Sequence, residues 1–193
     1  GYGYDDAGRA TSVSYPGSLG TVTLGHDTEG RLTTVSDWDA RVTTLGYDAL
    51  DRVTTITRPA DLVTTYAYDA LSRVTAVDHA RDGTPLLELG YAHDALGRLT
   101  SRTDDQGTTT FAYDGLDRLT SADYPGPGDY AYAYDAVGNV TSVTSPSGMV
   151  ARTHDAADRI DSTGFVYDDT GALLTDGTRT FTYDALGRLV SAS

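Results

Sequence analysis

The sequence predicts an all-β fold, a repeat protein of antiparallel β-hairpins that form a continuous, strongly curved or spiralling sheet. A short phrase recurs about ten times along the 193 residues, and such repetition is typical of one supersecondary unit that stacks on itself. The chain is rich in Thr and Gly, with 14 Tyr and 6 Pro, which favours strands and tight turns over helix. Only 39% of the residues are hydrophobic, which is too few for a thick central core. We therefore expect residues 1–193 to form a single array, curved because open sheets of more than about ten strands tend to curl.

The phrase is clearest at residues 183–189, which read Tyr-Asp-Ala-Leu-Gly-Arg-Leu. Aligned on its aspartate, the copies are first 20 to 25 residues apart and then 13 and 16, so the repeats are shortened over 155–193. His26, His93 and His154 replace the tyrosine in three copies. We expect the aligned positions to be the structural motif of the repeat, made of Tyr4, Asp5, Gly8, Arg9, Asp27, Gly30, Arg31, Tyr47, Asp48, Arg52, Tyr68, Asp69, Arg73, Asp94, Gly97, Arg98, Tyr113, Asp114, Arg118, Tyr134, Asp135, Gly138, Asp155, Arg159, Tyr167, Asp168, Gly171, Tyr183, Asp184, Gly187 and Arg188.

Each copy predicts a tight turn between two strands. An aspartate at the first position accepts a hydrogen bond from the backbone two residues on, and the fourth position takes the left-handed conformation of a type I turn with a glycine bulge. Glycine fills the fourth position in most copies, and Asp51, Asp117, Asp158 or Ser72 fills it in the others. Aspartate tolerates this conformation better than most residues, whereas the serine is the weakest match.

The stretch around Arg98–Arg118 predicts how one repeat pairs. Two strands, 98–103 and 108–113, flank a turn at 104–107, and the bulge of the next turn is expected to place Tyr113 opposite Leu119 and Phe111 opposite Ser121. Alternation with a period of two collects the tyrosines of each strand on one face and small residues on the other. His79 and the single Trp38 are expected in connections between strands.

The charge balance excludes several classes of function. All 14 basic residues are Arg, and 28 acidic residues give a net charge of -14, which repels nucleic acid and anionic membranes. No apolar run approaches the roughly 20 residues that span a bilayer. The absence of Cys removes disulfides, thiolate metal sites and cysteine nucleophiles. No catalytic, nucleotide-binding or metalloprotease motif is present, so the sequence predicts no enzyme, no cofactor and no metal site.

Three features of the motif have a second interpretation. The His-Asp pairs resemble metal ligands, but histidine at a tyrosine position is explained as a smaller amphipathic ring. The Asp and Arg four residues apart are explained by a turn cap and a strand start, although a ladder of such pairs could also fix the register. The tyrosines are expected to form the packing layer, with carbohydrate binding as the alternative.

The repeated Tyr-Asp-x-Leu-Gly-Arg-Leu, with Asp-Gly-Thr turns between copies, resembles the YD repeat of the RHS family over nearly the whole chain. That family includes shell components of bacterial insecticidal toxin complexes and part of the teneurins. The resemblance implies hairpins that spiral into a hollow shell, which in bacterial members encloses a toxic C-terminal domain. The sequence ends at Ser193 without positions that match a cleavage segment, so no cleavage residues carry over.

These observations predict a non-enzymatic scaffold, one segment of a β-shell around a toxin or other cargo, secreted or at the surface of a bacterial cell. The first alternative is a repeat unit of an extracellular fibre that assembles through exposed strand edges. The second is a carbohydrate-binding surface. The partners expected are neighbouring repeats of a longer polypeptide or other copies of the chain, an enclosed toxin domain and glycans, with no nucleic acid and no membrane insertion.

Overall fold

Every regular element of the structure, a computed structural model that describes residues 1–17, 20–126 and 128–193, is a β-strand. The all-β prediction is therefore confirmed, and the described residues contain no helix able to cross a bilayer. The strands are β1 Tyr2–Tyr4, β2 Ala10–Ser14, β3 Thr21–His26, β4 Leu32–Ser36, β5 Val42–Tyr47, β6 Val53–Arg58, β7 Leu62–Tyr68, β8 Val74–Arg81, β9 Thr84–His93, β10 Leu99–Asp104, β11 Gly107–Tyr113, β12 Leu119–Asp123, β13 Tyr130–Tyr134, β14 Val140–Ser145, β15 Gly148–Ala151, β16 Phe165–Tyr167, β17 Leu173–Asp176, β18 Phe181–Tyr183 and β19 Leu189–Ala192.

The sheet topology is that of consecutive hairpins. Strands β1 to β15 form one antiparallel sheet in which spatial order follows chain order, and the sheet does not close on itself. The shortened repeats form two further hairpins, β16 with β17 and β18 with β19. The chain divides into two compact units, residues 1–109 and 110–193, with the boundary inside β11. The single array over 1–193 stays a prediction.

The hairpin turns have the geometry that the repeat predicts. In the first copy the N–H of Gly8 donates to the carbonyl of Asp5 at 2.9 Å, and the N–H of Asp5 donates to the carbonyl of Arg9 at 3.0 Å. Gly8 has a φ of 76°, and the register shifts between Gly3 and Tyr4, as a bulge requires. At the same position Asp51 has a φ of 61° and Ser72 a φ of 62°, so the left-handed assignment holds without glycine.

The bulge corrects one expected strand pair. Tyr113 lies opposite Leu119 as predicted, but Phe111 lies opposite Ala122 and not Ser121, which pairs with Ala112. The register shifts between Ala112 and Tyr113 because two residues of β12 oppose Tyr113, and every pair beyond the bulge moves by one residue. The sequence predicted the bulge and missed its effect on the rest of the strand.

Burial within the sheet is shallow. Among the described residues the fully buried apolar side chain is Ala122, at 3% exposure, and Thr64 and Thr109 are buried polar ones. In β13 the tyrosines are half-buried while Ala131 and Ala133 are exposed, so this strand has one face of tyrosines and one face of small residues. Backbone pairing and contacts at the turns therefore supply the order that a core supplies in a globular domain.

The structure corrects the position of His79 and bears out that of Trp38. His79 lies in β8 and not in a connection, directly opposite Thr64 of β7. The hydroxyl of Thr64 accepts from Arg58 Nη1 at 2.8 Å and lies within hydrogen-bond distance of His79 Nδ1, at 2.9 Å. Trp38 lies in a turn, where its ring meets Tyr15 edge to face at 5.9 Å.

The left-handed turn position gives a stability test. We expect Gly97→Ala to lower the free energy of unfolding by about 1 kcal/mol, because Gly97 has a φ of 87° and an added Cβ meets no atom within 4 Å. Gly115 is a matched control, since a Cβ there also meets no atom within 4 Å and its φ is not positive. Urea unfolding of both variants measures the difference. Equal losses at the two positions would contradict the conformational explanation.

Candidate functional site: the turn clasp

One arrangement of three side chains recurs at successive hairpin turns, and we call it the clasp. It consists of the aspartate that opens a turn, the arginine four residues later, and the tyrosine that precedes the aspartate of the next copy. The first two residues act within one turn, and the arginine and tyrosine join that turn to the next. The copy that begins at Asp48 shows all of these contacts.

Within a turn the aspartate carboxylate accepts three hydrogen bonds. Oδ1 of Asp48 accepts the backbone N–H groups of Leu50 at 2.9 Å and Arg52 at 3.0 Å, and Oδ2 accepts Nε of Arg52 at 2.7 Å. The turn prediction included the first bond and explained the arginine as a strand start, with a ladder of Asp-Arg pairs left open as a way to fix the register. The same ion pair is present at Asp5, Asp27, Asp69, Asp94, Asp114, Asp155 and Asp184.

Between turns the arginine reaches forward to the next copy. Nη1 of Arg52 donates to the carbonyl of Asp69 at 3.1 Å, and its guanidinium lies 4.6 Å from the ring centroid of Tyr68. The hydroxyl of Tyr68 donates back to the carbonyl of Val53 at 2.7 Å. Equivalent bonds to the next turn come from Arg9, Arg31, Arg73 and Arg118, and equivalent rings are those of Tyr47, Tyr134 and Tyr167.

The residues that replace glycine at the fourth turn position have a partner in the preceding copy. Asp51 accepts from Arg31 Nη1 at 2.6 Å, and the Ser72 hydroxyl accepts from Arg52 Nη1 at 3.1 Å. Asp158 accepts from the side-chain amide of Asn139 at 2.9 Å, and the same amide donates to Asp135. A residue with a side chain adopts the left-handed backbone conformation here at a cost in strain. Its side chain forms a hydrogen bond to the preceding copy, which a glycine cannot provide.

Histidine fills the tyrosine position of the motif at His26, His93 and His154. Nδ1 of His93 and of His154 is buried and has no hydrogen-bond partner among the described residues. Within those residues no group of three His, Asp or Glu side chains is placed to hold a metal ion. Several motif tyrosines have a ring face covered by a guanidinium, which leaves that face closed to a sugar.

Sequence reasoning missed one further Asp-Arg turn, which has the same contacts within the turn as the clasp. Asp37 in the turn between β4 and β5 accepts the N–H groups of Asp39 and Arg41 and binds Nε of Arg41 at 2.8 Å. Ala40 takes the left-handed position there, with a φ of 58°. Because no tyrosine precedes Asp37, the turn does not match the repeated phrase. The spacing of four residues between Asp37 and Arg41 is the feature of the sequence that indicates it.

The clasp keeps its carboxylates ionised. At Asp48 the hydrogen bond from the Arg52 side chain, opposed by partial burial and helped by backbone N–H groups, holds the pKa of the carboxyl below its ordinary value. At Asp176, in the turn between β17 and β18, the backbone N–H of Arg179 and then its side chain lower the pKa to about 2. The pKa of each of the other clasp carboxyls is also lowered, as at Asp5 and Asp155.

The clasp arginines should differ in their contribution to stability. We expect Arg52→Ala to lower the melting temperature by about 3–6 °C, because Arg52 is 21% exposed and its loss removes contacts to two turns. Arg188→Ala is the control and should cost less than a third as much, since Arg188 is 74% exposed and binds Asp184 alone among the described residues. Calorimetry of both variants measures this, and equal losses would contradict a role for the bond between turns.

The lowered carboxyl pKa values predict acid sensitivity. A carboxyl whose folded pKa lies below its unfolded value of 3.8 stabilises the fold above that value and loses the contribution as pH falls through the folded pKa. The clasp carboxylates should therefore leave the melting temperature nearly constant from about pH 7 to pH 5 and lower it from about pH 4 to pH 2. Asp176→Asn should show a smaller drop in the acid range. A wild-type melting temperature that stays constant to about pH 2 would contradict the effect.

Several solved structures have a fold similar to that of this chain. A TcdB2–TccC3–Cdc42 structure matches 100% of this chain with a TM-score of 0.69 and 19% identity. The Tc holotoxin pore of Photorhabdus luminescens, with a mutation in TccC3, matches 92% of the chain with a TM-score of 0.63 and 18% identity. TcdB2–TccC3 without its hypervariable C-terminal region matches 97% with a TM-score of 0.63 and 17% identity. The chain spans 12% of the length of each of these matched chains.

The sequence profile of a known family agrees with this fold. No curated protein matches the chain. The profile described as Teneurin YD-shell matches residues 18–158, which include most copies of the clasp and cover more than half of the sequence. The RHS and YD-repeat resemblance is thereby confirmed, and the chain belongs to the Teneurin YD-shell family.

Proposed function

We propose that this chain is a non-enzymatic wall segment of a YD-repeat shell that encloses a toxin or other cargo. The observation that carries the proposal is the clasp, which in copies such as those of Arg52 and Arg118 ties one hairpin turn to the next through side chains that belong to the repeat itself. A surface of this kind extends by adding copies. The motif residues, from Tyr4 and Asp5 to Gly187 and Arg188, are then the structural parts of the wall.

The family and the similar structures support the shell, and the cargo is part of the proposal. The matching family is described as a YD-shell. The similar structures are toxin assemblies, and because this chain covers 12% of each matched chain, those chains are about eight times longer than this one. We therefore infer that residues 1–193 act as one array beside neighbouring repeats of a longer polypeptide. A toxin domain as the enclosed partner and a secreted or cell-surface bacterial location complete the proposal.

The fibre alternative has one observation in its favour. β15 ends the main sheet, pairs with β14 on one side, and is exposed along its whole length, with Met149 at 66% and Val150 at 56% exposure. An exposed, apolar edge strand invites pairing with another chain unless something covers it. Further repeats would cover it in a shell, and another copy of the chain would cover it in a fibre.

Electron microscopy of the polypeptide that carries this segment separates the two assemblies. We expect discrete hollow particles with residues 1–193 inside the wall. Filaments of indefinite length would overturn the shell and support the fibre. A matched pair of variants tests the wall directly: Arg52→Ala should make an enclosed domain more sensitive to added protease, and the exposed Arg188→Ala should not. Equal protease sensitivity of the enclosed domain with and without Arg52 would contradict the role of the clasp in the wall.

A further inference from the structure

One copy of the clasp lacks its cation. Ala172 stands where eight copies have arginine and one has Asn139. Asp168 still forms its turn, because Oδ1 accepts the N–H groups of Thr170 and Ala172, each at 2.9 Å, and the Thr170 hydroxyl at 2.7 Å. Oδ2, which binds an arginine Nε in eight copies and the side-chain amide of Asn139 in another, receives no hydrogen bond from the described residues.

A cavity of about 520 Å³ opens at the position of the absent arginine side chain. Its lining includes Asp168, Ala172, Leu174, Tyr183, Asp184 and Gly187. All of these residues belong to the unit 110–193. The cavity therefore lies between a turn that keeps its carboxylate and the next turn, which elsewhere receives the guanidinium.

The two other contacts of a clasp arginine are present and unused in this cavity. The hydroxyl of Tyr183 donates to the carbonyl of Leu173 at 3.0 Å, the same bond that positions Tyr68, and no described cation lies over the Tyr183 ring. The carbonyl of Asp184 accepts the N–H of Gly187 at 2.9 Å. A carbonyl has two lone pairs, and in the copy at Asp69 the second one takes the arginine Nη1.

The arginines nearest in sequence are bound elsewhere. Arg188 binds the Asp184 carboxylate at 2.7 Å. Arg179 binds Asp176 at 2.7 Å and lies over Phe181. Arg159 pairs with Asp155 and lies over Tyr167. The cavity thus offers a carboxylate oxygen, an aromatic face and a carbonyl oxygen. The three arginines Arg188, Arg179 and Arg159 supply no hydrogen-bond donor to it.

We propose that this cavity binds the guanidinium group of an arginine side chain from another polypeptide. Asp168 Oδ2 accepts one N–H, the carbonyl of Asp184 accepts a second, and the plane of the group lies over Tyr183, as the group of Arg52 lies over Tyr68. A lysine ammonium is a compact charge that cannot form the planar fork and cover the ring together, so the site should prefer arginine. This inference does not depend on the shell.

The test is a titration of the full chain with acetyl-Gly-Arg-Gly-amide, followed by the backbone amide resonances. We expect saturating shifts confined to residues 168–172 and 183–187. The matched peptide with lysine should bind at least about fivefold more weakly. Free L-arginine, whose α-carboxylate meets the carboxylates of this acidic chain, should also bind more weakly than the peptide.

Three variants decide the assignment. Ala172→Arg fills the cavity, so it should abolish the response and raise the melting temperature by about 2–4 °C. Asp168→Asn should weaken binding by about tenfold with the cavity still open. Arg52→Ala creates an equivalent opening between the turns at Asp48 and Asp69, and it should gain a response there.

The proposal is overturned by equal binding of the arginine and lysine peptides, by an unchanged response in Ala172→Arg or Asp168→Asn, or by no shift at residues 168–187. Tighter binding of free L-arginine than of the peptide would assign the cavity to a small molecule and overturn the polypeptide partner. None of these outcomes bears on whether the assembled protein is a hollow particle.

Discussion

The bond between an aspartate carboxylate and the arginine four residues later is the interaction on which the rest of this structure depends. It closes each turn, because the same carboxylate accepts two backbone N–H groups. It also orients the guanidinium so that this group reaches the carbonyl of the next turn and lies over the ring of the next tyrosine. An ion pair on a surface contributes little alone, but here it positions a group that makes several further contacts.

This constraint explains how a chain with so little buried apolar surface keeps a defined register. A strand such as β13 has one face of tyrosines and one face of small residues, and among the described residues burial beyond nine-tenths is confined to small side chains. Register in such a sheet is weakly specified by a hydrophobic pattern. The clasp specifies it by another route, because an arginine reaches the carbonyl of the next aspartate only when the two hairpins are aligned. The turns fix the alignment of neighbouring hairpins, and backbone pairing continues this register along the strands.

Much of the fold followed from the sequence, because the repeat carries its own turn chemistry. The left-handed position at Gly8 and the bond from a carboxylate to the backbone two residues on were predictable from residue type and spacing. The pairing of Phe111 with Ala122 was not predictable in this way. A bulge moves the register by one residue, and the alternation of residue types along the strand does not show that shift. His79 was misplaced because the strand β8 is longer than the repeat indicates.

The contacts between copies were harder to predict than the turns. Residue type shows that Arg52 and Asp48 can pair, but not that Arg52 also meets Asp69, which follows it by 17 residues and two strands. That contact exists only once the hairpins are adjacent in space. The Asp-Arg turn at Asp37 was missed for the opposite reason, since its Asp and Arg are four residues apart but the tyrosine that marks the other copies is absent.

The partners of the non-glycine turn residues make the repeats non-interchangeable. Asp51 is matched to Arg31, Ser72 to Arg52 and Asp158 to Asn139, each from the copy before. A copy moved to another place in the array would bring a strained turn residue without its donor, or a donor without its acceptor. Shuffling, duplication and grafting of these repeats should therefore succeed in pairs that keep the junction, and a single copy is the wrong unit to move.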